Sequence, residues 1–354
     1  MTDNSLGPVI IDIEASTLTK EDEMLIAHPL VGGVILFSRN YKTARHLHAL
    51  TKAIRAIKPL WICVDQEGGR VQRFKGEMTI LPPFGAIGGL YKNDPALSQA
   101  VARASGWLMA MELRTLGVDF SFSPVLDRDI NRNDVIGDRS FSDQVDTIIA
   151  CGESYSQGLH DAGFPSIGKH YPGHGAVNLD SHMDLPVDDR TLNTILRTDG
   201  LPFQTLVEKG CLDGIMASHI VYEGADAHIA GASAFWLKDI LRKQWGFSGV
   251  IFSDCLTMKA AAFLGSYPQR ARACLAAGCD KILVCNNRPG AVSVLENLSQ
   301  ENMAPYLNAA RDKTFLKQGS NVSSYPSLEA LRETTEWRDA YNLLQEVNND
   351  DTTT

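Results

Sequence analysis

Short apolar runs alternate along the chain with longer stretches in which apolar residues recur at helical spacing. The runs are PVIIDI (8–13), GGVILF (32–37), LWICVD (60–65), VDFSFSPVLD (118–127), SIGKHY (166–171), DGIMASHI (213–220), GVIFSD (249–254) and KILVC (281–285). Rich in Val and Ile and mostly too short for a core helix, they read as strands. Most are nearly continuous, the pattern of strands buried on both faces. Between them, Thr19 opens a T-x-x-D capping box ahead of Met24 and Leu25. Residues 43–57, 95–116 and 143–163 carry spaced apolar positions. Asp188 or Asp189 and Ser233 offer N-caps for helices starting near 190 and 234.

A strand followed by a helix, eight times over, implies a parallel sheet, and eight such units close naturally into a barrel. The expected fold class is therefore α/β: a single-domain (β/α)8 TIM barrel over residues 1–300. The competing doubly wound sheet would advertise a dinucleotide loop, and no G-x-G-x-x-G follows the first strand. Residues 301–354 differ in character, being polar with a helical segment around 328–346 and a DDTTT end. They are expected to pack on the barrel as an extension and then fray. The connections after strands 3 to 6 are long and rich in Gly, Pro, Asn and Asp. In a barrel these loops form the C-terminal face, where active sites sit.

Composition narrows the function. The 354 residues are 44% apolar, enough for a sizeable core, and carry a net charge of −9. That charge argues against a nucleic-acid partner, because phosphate backbones are bound by clustered Lys and Arg. No run of 18 apolar residues suggests a membrane span, and the start MTDNSLGPVIIDIE lacks the basic and apolar regions of a secretory signal. The seven cysteines are odd in number and form no C-x-x-C pair, which fits buried, reduced thiols in a cytoplasmic protein.

Polar residues gather where the strands end. Asp65 closes strand 3 and leads to Arg73; Asp127 closes strand 4 and leads to Asp138 and Arg139. Lys169 and His170 lie at the end of strand 5, His219 on strand 6 and Asp254 at the end of strand 7. Beyond strand 5 runs KHYPGHGAVNLDSH (169–182), with three histidines. Three chemistries compete for it. A metal centre would draw on His170, His174, His182, His219 and Asp254, yet strand 1 ends in D-I-E, without the H-x-H pair common on metal-dependent barrels. Lys169 could instead be a Schiff-base lysine. The third chemistry is glycoside hydrolysis, with Asp254 as nucleophile. There a histidine donates the proton, having the right pKa without much tuning, and Asp180 and His182, spaced D-x-H, could form a carboxylate–imidazole dyad on a glycine-bearing loop.

These motifs resemble glycoside hydrolase family 3, and within it the single-domain β-N-acetylglucosaminidases of bacterial peptidoglycan recycling. The resemblance spans residues 8 to 300 through AHPLVGGVILFSRNY (27–41), VDQEGGRVQR (64–73), SFSPVLD (121–127), IGDRSF (136–141), GKHYPGHG (168–175), DSH (180–182), FSDCLTM (252–258) and GCDKILVCNNR (278–288). It implies a retaining exo-glycosidase with Asp254 as nucleophile, His182 as acid/base and Asp180 as its partner. It also implies that Asp65, Arg73, Arg139, Lys169 and His170 hold the terminal N-acetylglucosamine. His174 would organise the loop and Asp127 support the pocket floor. Cys255 departs from the pattern, standing where many relatives carry a second aspartate. The implied substrate is N-acetylglucosamine joined β-1,4 to (anhydro-)N-acetylmuramic acid, with or without peptide. A cytoplasmic monomer needing neither metal nor cofactor is expected. A metal-dependent barrel hydrolase, an inactive sugar-binding barrel and a phosphorylase remain the alternatives.

Overall fold

The structure is a computed structural model that describes residues 6–130, 135–174, 177, 185–298, 304–316 and 325–350. Eight strands form its centre: β1 (Val9–Asp12), β2 (Val31–Leu36), β3 (Trp61–Val64), β4 (Phe120–Ser121), β5 (Ile167–Tyr171), β6 (Gly214–Ala217), β7 (Val250–Cys255) and β8 (Lys281–Val284). Each falls within or against one of the eight apolar runs. They are hydrogen-bonded in the order β4-β3-β2-β1-β8-β7-β6-β5, and every pairing is parallel.

The ring closes between β4 and β5, and it closes irregularly. The run 118–127 reads as one long strand, but only Phe120–Ser121 is regular. Pro124, which has no N–H to donate, interrupts the ladder. The chain then rejoins β5 through a parallel bridge between Val125 and Lys169. Ile167 N donates to Ser123 O (2.8 Å), Lys169 N to Pro124 O (3.1 Å) and Leu126 N to Lys169 O (2.8 Å). These bonds complete a (β/α)8 barrel.

The helices follow the predicted spacing closely. Helix α1 (Lys20–Ala27) begins with the expected capping box: Asp22 N donates to Thr19 Oγ1 (3.1 Å) and Thr19 N to Asp22 Oδ2 (2.9 Å). Helices α2 (Ala44–Ile57), α3 (Pro95–Thr115) and α4 (Val145–Asp161) match the remaining amphipathic segments. In α2, Leu47, Leu50, Thr51 and Ile54 form the buried stripe. One expectation needs correcting. Neither Asp188 nor Asp189 caps a helix, because Val187–Thr191 is a strand paired with Val221–Gly224. Helix Leu192–Arg197 is capped by Thr191 instead, while Asp188 binds Arg190 (2.6 Å). Ser233 does stand at the head of the helical stretch that begins at Ala234, its Oγ accepting from Trp236 N at 3.1 Å.

Aromatic side chains fill the N-terminal end of the barrel. Phe315 reaches in from helix Ala309–Phe315 and packs on Trp61 (4.8 Å between ring centroids), Phe120 (5.1 Å) and Phe252 (5.7 Å). Burying one Phe contributes roughly 1.5–3 kcal/mol. Beside it, buried Lys281 pairs with Asp312 at 2.9 Å and lies over the Trp61 ring. With that end plugged, the C-terminal end is left for chemistry. Farther along, helix Thr335–Asp350 docks on α3, where Trp337 Nε1 donates to Glu112 Oε1 (3.2 Å).

Candidate active site

The site begins at the end of β3. Past Asp65 the chain folds into a tight hairpin, Gln66–Gly68 against Val71–Gln72. Gln66 braces it: its Oε1 accepts from Arg73 N (2.9 Å) and Phe74 N (3.0 Å). Gly68 makes the turn with φ +119°, and a Cβ there would come within 2.4 Å of Pro82 O, so only glycine fits. On an extended chain, residues two apart face the same side. Asp65 and Glu67 accordingly point to the same partner.

That partner is Lys169. Its Nζ lies 2.8 Å from Asp65 Oδ1 and 2.6 Å from Glu67 Oε1. Arg139, on the turn after strand 4, grips Glu67 with two bonds, Nε to Oε2 (2.8 Å) and Nη2 to Oε1 (2.9 Å). Burial alone would push the Glu67 carboxyl up. The charges of Arg139 and Lys169 outweigh it and hold the group far below the usual carboxylate range. For Lys169, burial opposes the charge, but Asp65 and Glu67 raise its pKa above the ordinary value. Arg73 completes the group, its Nη2 3.9 Å from Asp65 Oδ2.

A second cluster centres on Asp127, which is fully buried. It accepts from His170 Nδ1 (2.6 Å), from the His170 backbone N–H (3.1 Å) and from His174 N (2.7 Å). Burial works against its charge, yet His170 and these bonds hold the carboxyl below its ordinary value. His174 is the reverse case: burial, and then the charge of His170, depress its pKa to about 4. Asp127 thus orients the loop that leaves β5.

Asp254 is the next-to-last residue of β7. Its Oδ1 accepts from Cys255 N at 2.7 Å, and its charge is felt by both His174 and His219. His219, fully buried, is turned by a bond between its Nε2 and Cys255 O (3.2 Å). Burial lowers its pKa. Asp65, Glu67, Arg73, Arg139, Lys169, His170 and Asp254 all line one cavity of about 430 Å³. Phe37, Met258 and Asn286 furnish other parts of its wall.

A family model described as the glycosyl hydrolase family 3 N-terminal domain matches residues 7–311. The chain belongs to glycosyl hydrolase family 3. A β-hexosaminidase of Tolumonas auensis is 44% identical over 344 residues, spanning 96% of this chain and 98% of that one. Another from Idiomarina loihiensis is 45% identical over 341 residues, 96% of this chain and all of its own. Among solved structures, NagZ from Neisseria gonorrhoeae superposes with a TM-score of 0.87 at 36% identity, covering 97% of this chain and 98% of its own. The same protein in complex with N-trifluoroacetyl-D-glucosamine gives 0.86. This chain is a glycosidase of the β-hexosaminidase group within family 3.

The buried charge network of the family 3 site has one member that strand-end reasoning passed over. Glu67 lies two residues beyond Asp65, and only the D-x-E alternation in VDQEGG hinted at it. Asp138 stays at the surface, paired with Arg70 at 3.0 Å. Lys169 is no Schiff-base nucleophile here: two carboxylates keep it protonated, and an attacking amine must be neutral. Among the described residues, no cluster of three or more His, Cys, Asp or Glu side chains is spaced to hold a metal ion. No helix among them is long and apolar enough to cross a membrane. Asp180 and His182 lie outside the described residues.

Proposed function

We propose that this chain is a retaining exo-β-N-acetylglucosaminidase acting in cytoplasmic cell-wall recycling. It hydrolyses the β-1,4 bond between a terminal N-acetylglucosamine and (anhydro-)N-acetylmuramic acid in peptidoglycan fragments. One observation carries the reading: a single 430 Å³ cavity holds Asp254 together with the buried Asp65–Lys169–Glu67–Arg139 network. Such a pocket suits one terminal sugar, whose hydroxyls Asp65, Arg73, Arg139, Lys169 and His170 bind. Glu67 fixes Lys169 and Arg139 in place. The similar gonococcal NagZ, solved with an N-acylated glucosamine, supports the sugar class.

Asp254 attacks the anomeric carbon, and the bond to the leaving oxygen breaks as His182 gives that oxygen its proton. Asp180 holds the imidazole in the needed tautomer and stabilises its charged form. His182 then takes a proton from water, which attacks the glycosyl–Asp254 ester and frees the sugar with its original configuration. Two inversions give net retention. Neither step calls on a metal or an organic cofactor.

The test is product analysis on a GlcNAc-anhydroMurNAc peptide in phosphate buffer. Free β-N-acetylglucosamine, seen by NMR before it mutarotates, is the expected first product. The α-anomer would overturn retention, and a sugar 1-phosphate would make the enzyme a phosphorylase.

A further inference from the structure

Cys255 and Cys285 come from neighbouring strands, one residue past Asp254 and one residue past β8. Their sulfurs lie 2.9 Å apart, and both residues line the sugar cavity. The backbone around them is tied down. Leu256 N donates to Leu283 O (2.8 Å) and Thr257 Oγ1 to Cys285 O (2.8 Å), while Cys255 Sγ sits 3.1 Å from Thr257 Oγ1. The hydrogen bond from Cys285 outweighs burial and, with Thr257, holds the Cys255 thiol below its ordinary value. The same bond and burial push Cys285 well up. A proton shared in this way leaves Cys255 as the nucleophilic sulfur.

We propose that Cys255 and Cys285 are a redox-active dithiol in the wall of the cavity, converted by hydrogen peroxide to a disulfide that slows turnover at Asp254. The Cys255 thiolate attacks one peroxide oxygen. The O–O bond breaks, the sulfur becomes a sulfenic acid, and the other oxygen leaves as water after taking a proton. Cys285 sulfur then attacks Cys255 Sγ; the S–O bond breaks, and the hydroxide departs as a second water with the Cys285 proton. Two thiols lose two electrons and two hydrogens, and one peroxide becomes two waters.

Closing the pair to a bond of about 2.05 Å draws the sulfurs together by about 0.9 Å. Because the flanking bonds at Leu256 and Thr257 keep the closure from spreading along the strands, it falls on Cys255 itself, whose N–H is the donor to Asp254 Oδ1. Catalytic groups tolerate displacements of only about 0.5 Å, so the nucleophile loses its alignment. The other close pair, Cys274 and Cys279, is buried and lines no part of this cavity, out of reach of the oxidant.

The test treats the full-length protein with hydrogen peroxide and maps it by non-reducing peptide mass spectrometry. Turnover of 4-nitrophenyl β-N-acetylglucosaminide is followed in parallel. We expect a cross-link between Cys255 and Cys285, a fall in kcat of roughly 10- to 100-fold, and recovery of both by dithiothreitol. Cys255→Ser should keep, after peroxide, the rate it had before it, and Cys285→Ser should form no cross-link and stop at an oxidised Cys255. If one variant misfolds, the other and the wild-type map decide. Absence of this cross-link in oxidised protein, a cross-link with unchanged kcat, or equal inactivation of folded Cys255→Ser would each overturn the proposal.

Discussion

Lys169 Nζ lies 2.6 Å from Glu67 Oε1, with both side chains only 2% exposed. A buried ion pair is costly to form, and costlier to leave half-made. Glu67 is also the bidentate partner of Arg139, so a single carboxylate neutralises two cations from different parts of the chain.

Glu67→Gln removes that charge and leaves two buried cations sharing Asp65. The expected cost is on the order of 3 kcal/mol of stability, read as a lower urea midpoint with an unchanged m-value. Loss of substrate affinity should accompany it, because Lys169 and Arg139 no longer hold their places. A midpoint equal to that of the wild type would show that the network is not what fixes the cavity wall.

Asp254→Ala should abolish turnover, by on the order of 10⁴-fold or more, with little change in thermal midpoint. Its carboxyl stands at the cavity wall near the end of β7, where it accepts from the adjacent Cys255 N–H. Residual kcat near the wild-type value would remove the nucleophile from the proposed mechanism.

For the acid, the substrate is the discriminating variable. His182→Ala should cost about 10²- to 10⁴-fold on the natural disaccharide, the usual worth of general acid catalysis. On the 4-nitrophenyl glycoside the first step needs little protonation, so bond cleavage there should suffer far less. Equal losses on the two substrates would assign the proton to another group.

His174 should make stability depend on acidity. Its folded pKa is depressed to about 4 by burial and by His170, against an ordinary 6.5. Between those values the unfolded chain binds a proton that the folded chain does not, so stability falls as pH drops from 6.5 towards 4. At pH 5 the loss is roughly 2 kcal/mol. Urea midpoints at pH 7 and pH 5 should therefore converge in His174→Gln relative to wild type. His219, also depressed by burial, contributes in the same direction and remains in the variant.

Much of this architecture was legible in the sequence because burial on both faces leaves a local mark. Eight apolar runs mapped onto eight strands, and three charged residues at the ends of those runs turned out to face one cavity. Asp65, Lys169 and Asp254 were found that way. The capping box at Thr19 was equally readable, its two bonds spanning only three residues. Local reasoning failed where a distant partner decided the outcome. Val187–Thr191 became a strand only because Val221–Gly224 lies beside it.

Contacts between segments far apart in the chain had no local signature at all. The ring's closure through Val125 and Lys169, the plug formed by Phe315 and the meeting of Cys255 with Cys285 all join residues at least 30 positions apart. Apolar spacing records how deeply a residue is buried, which each segment carries by itself. Which buried residues meet depends on strand order and register, and these exist only once the barrel has closed.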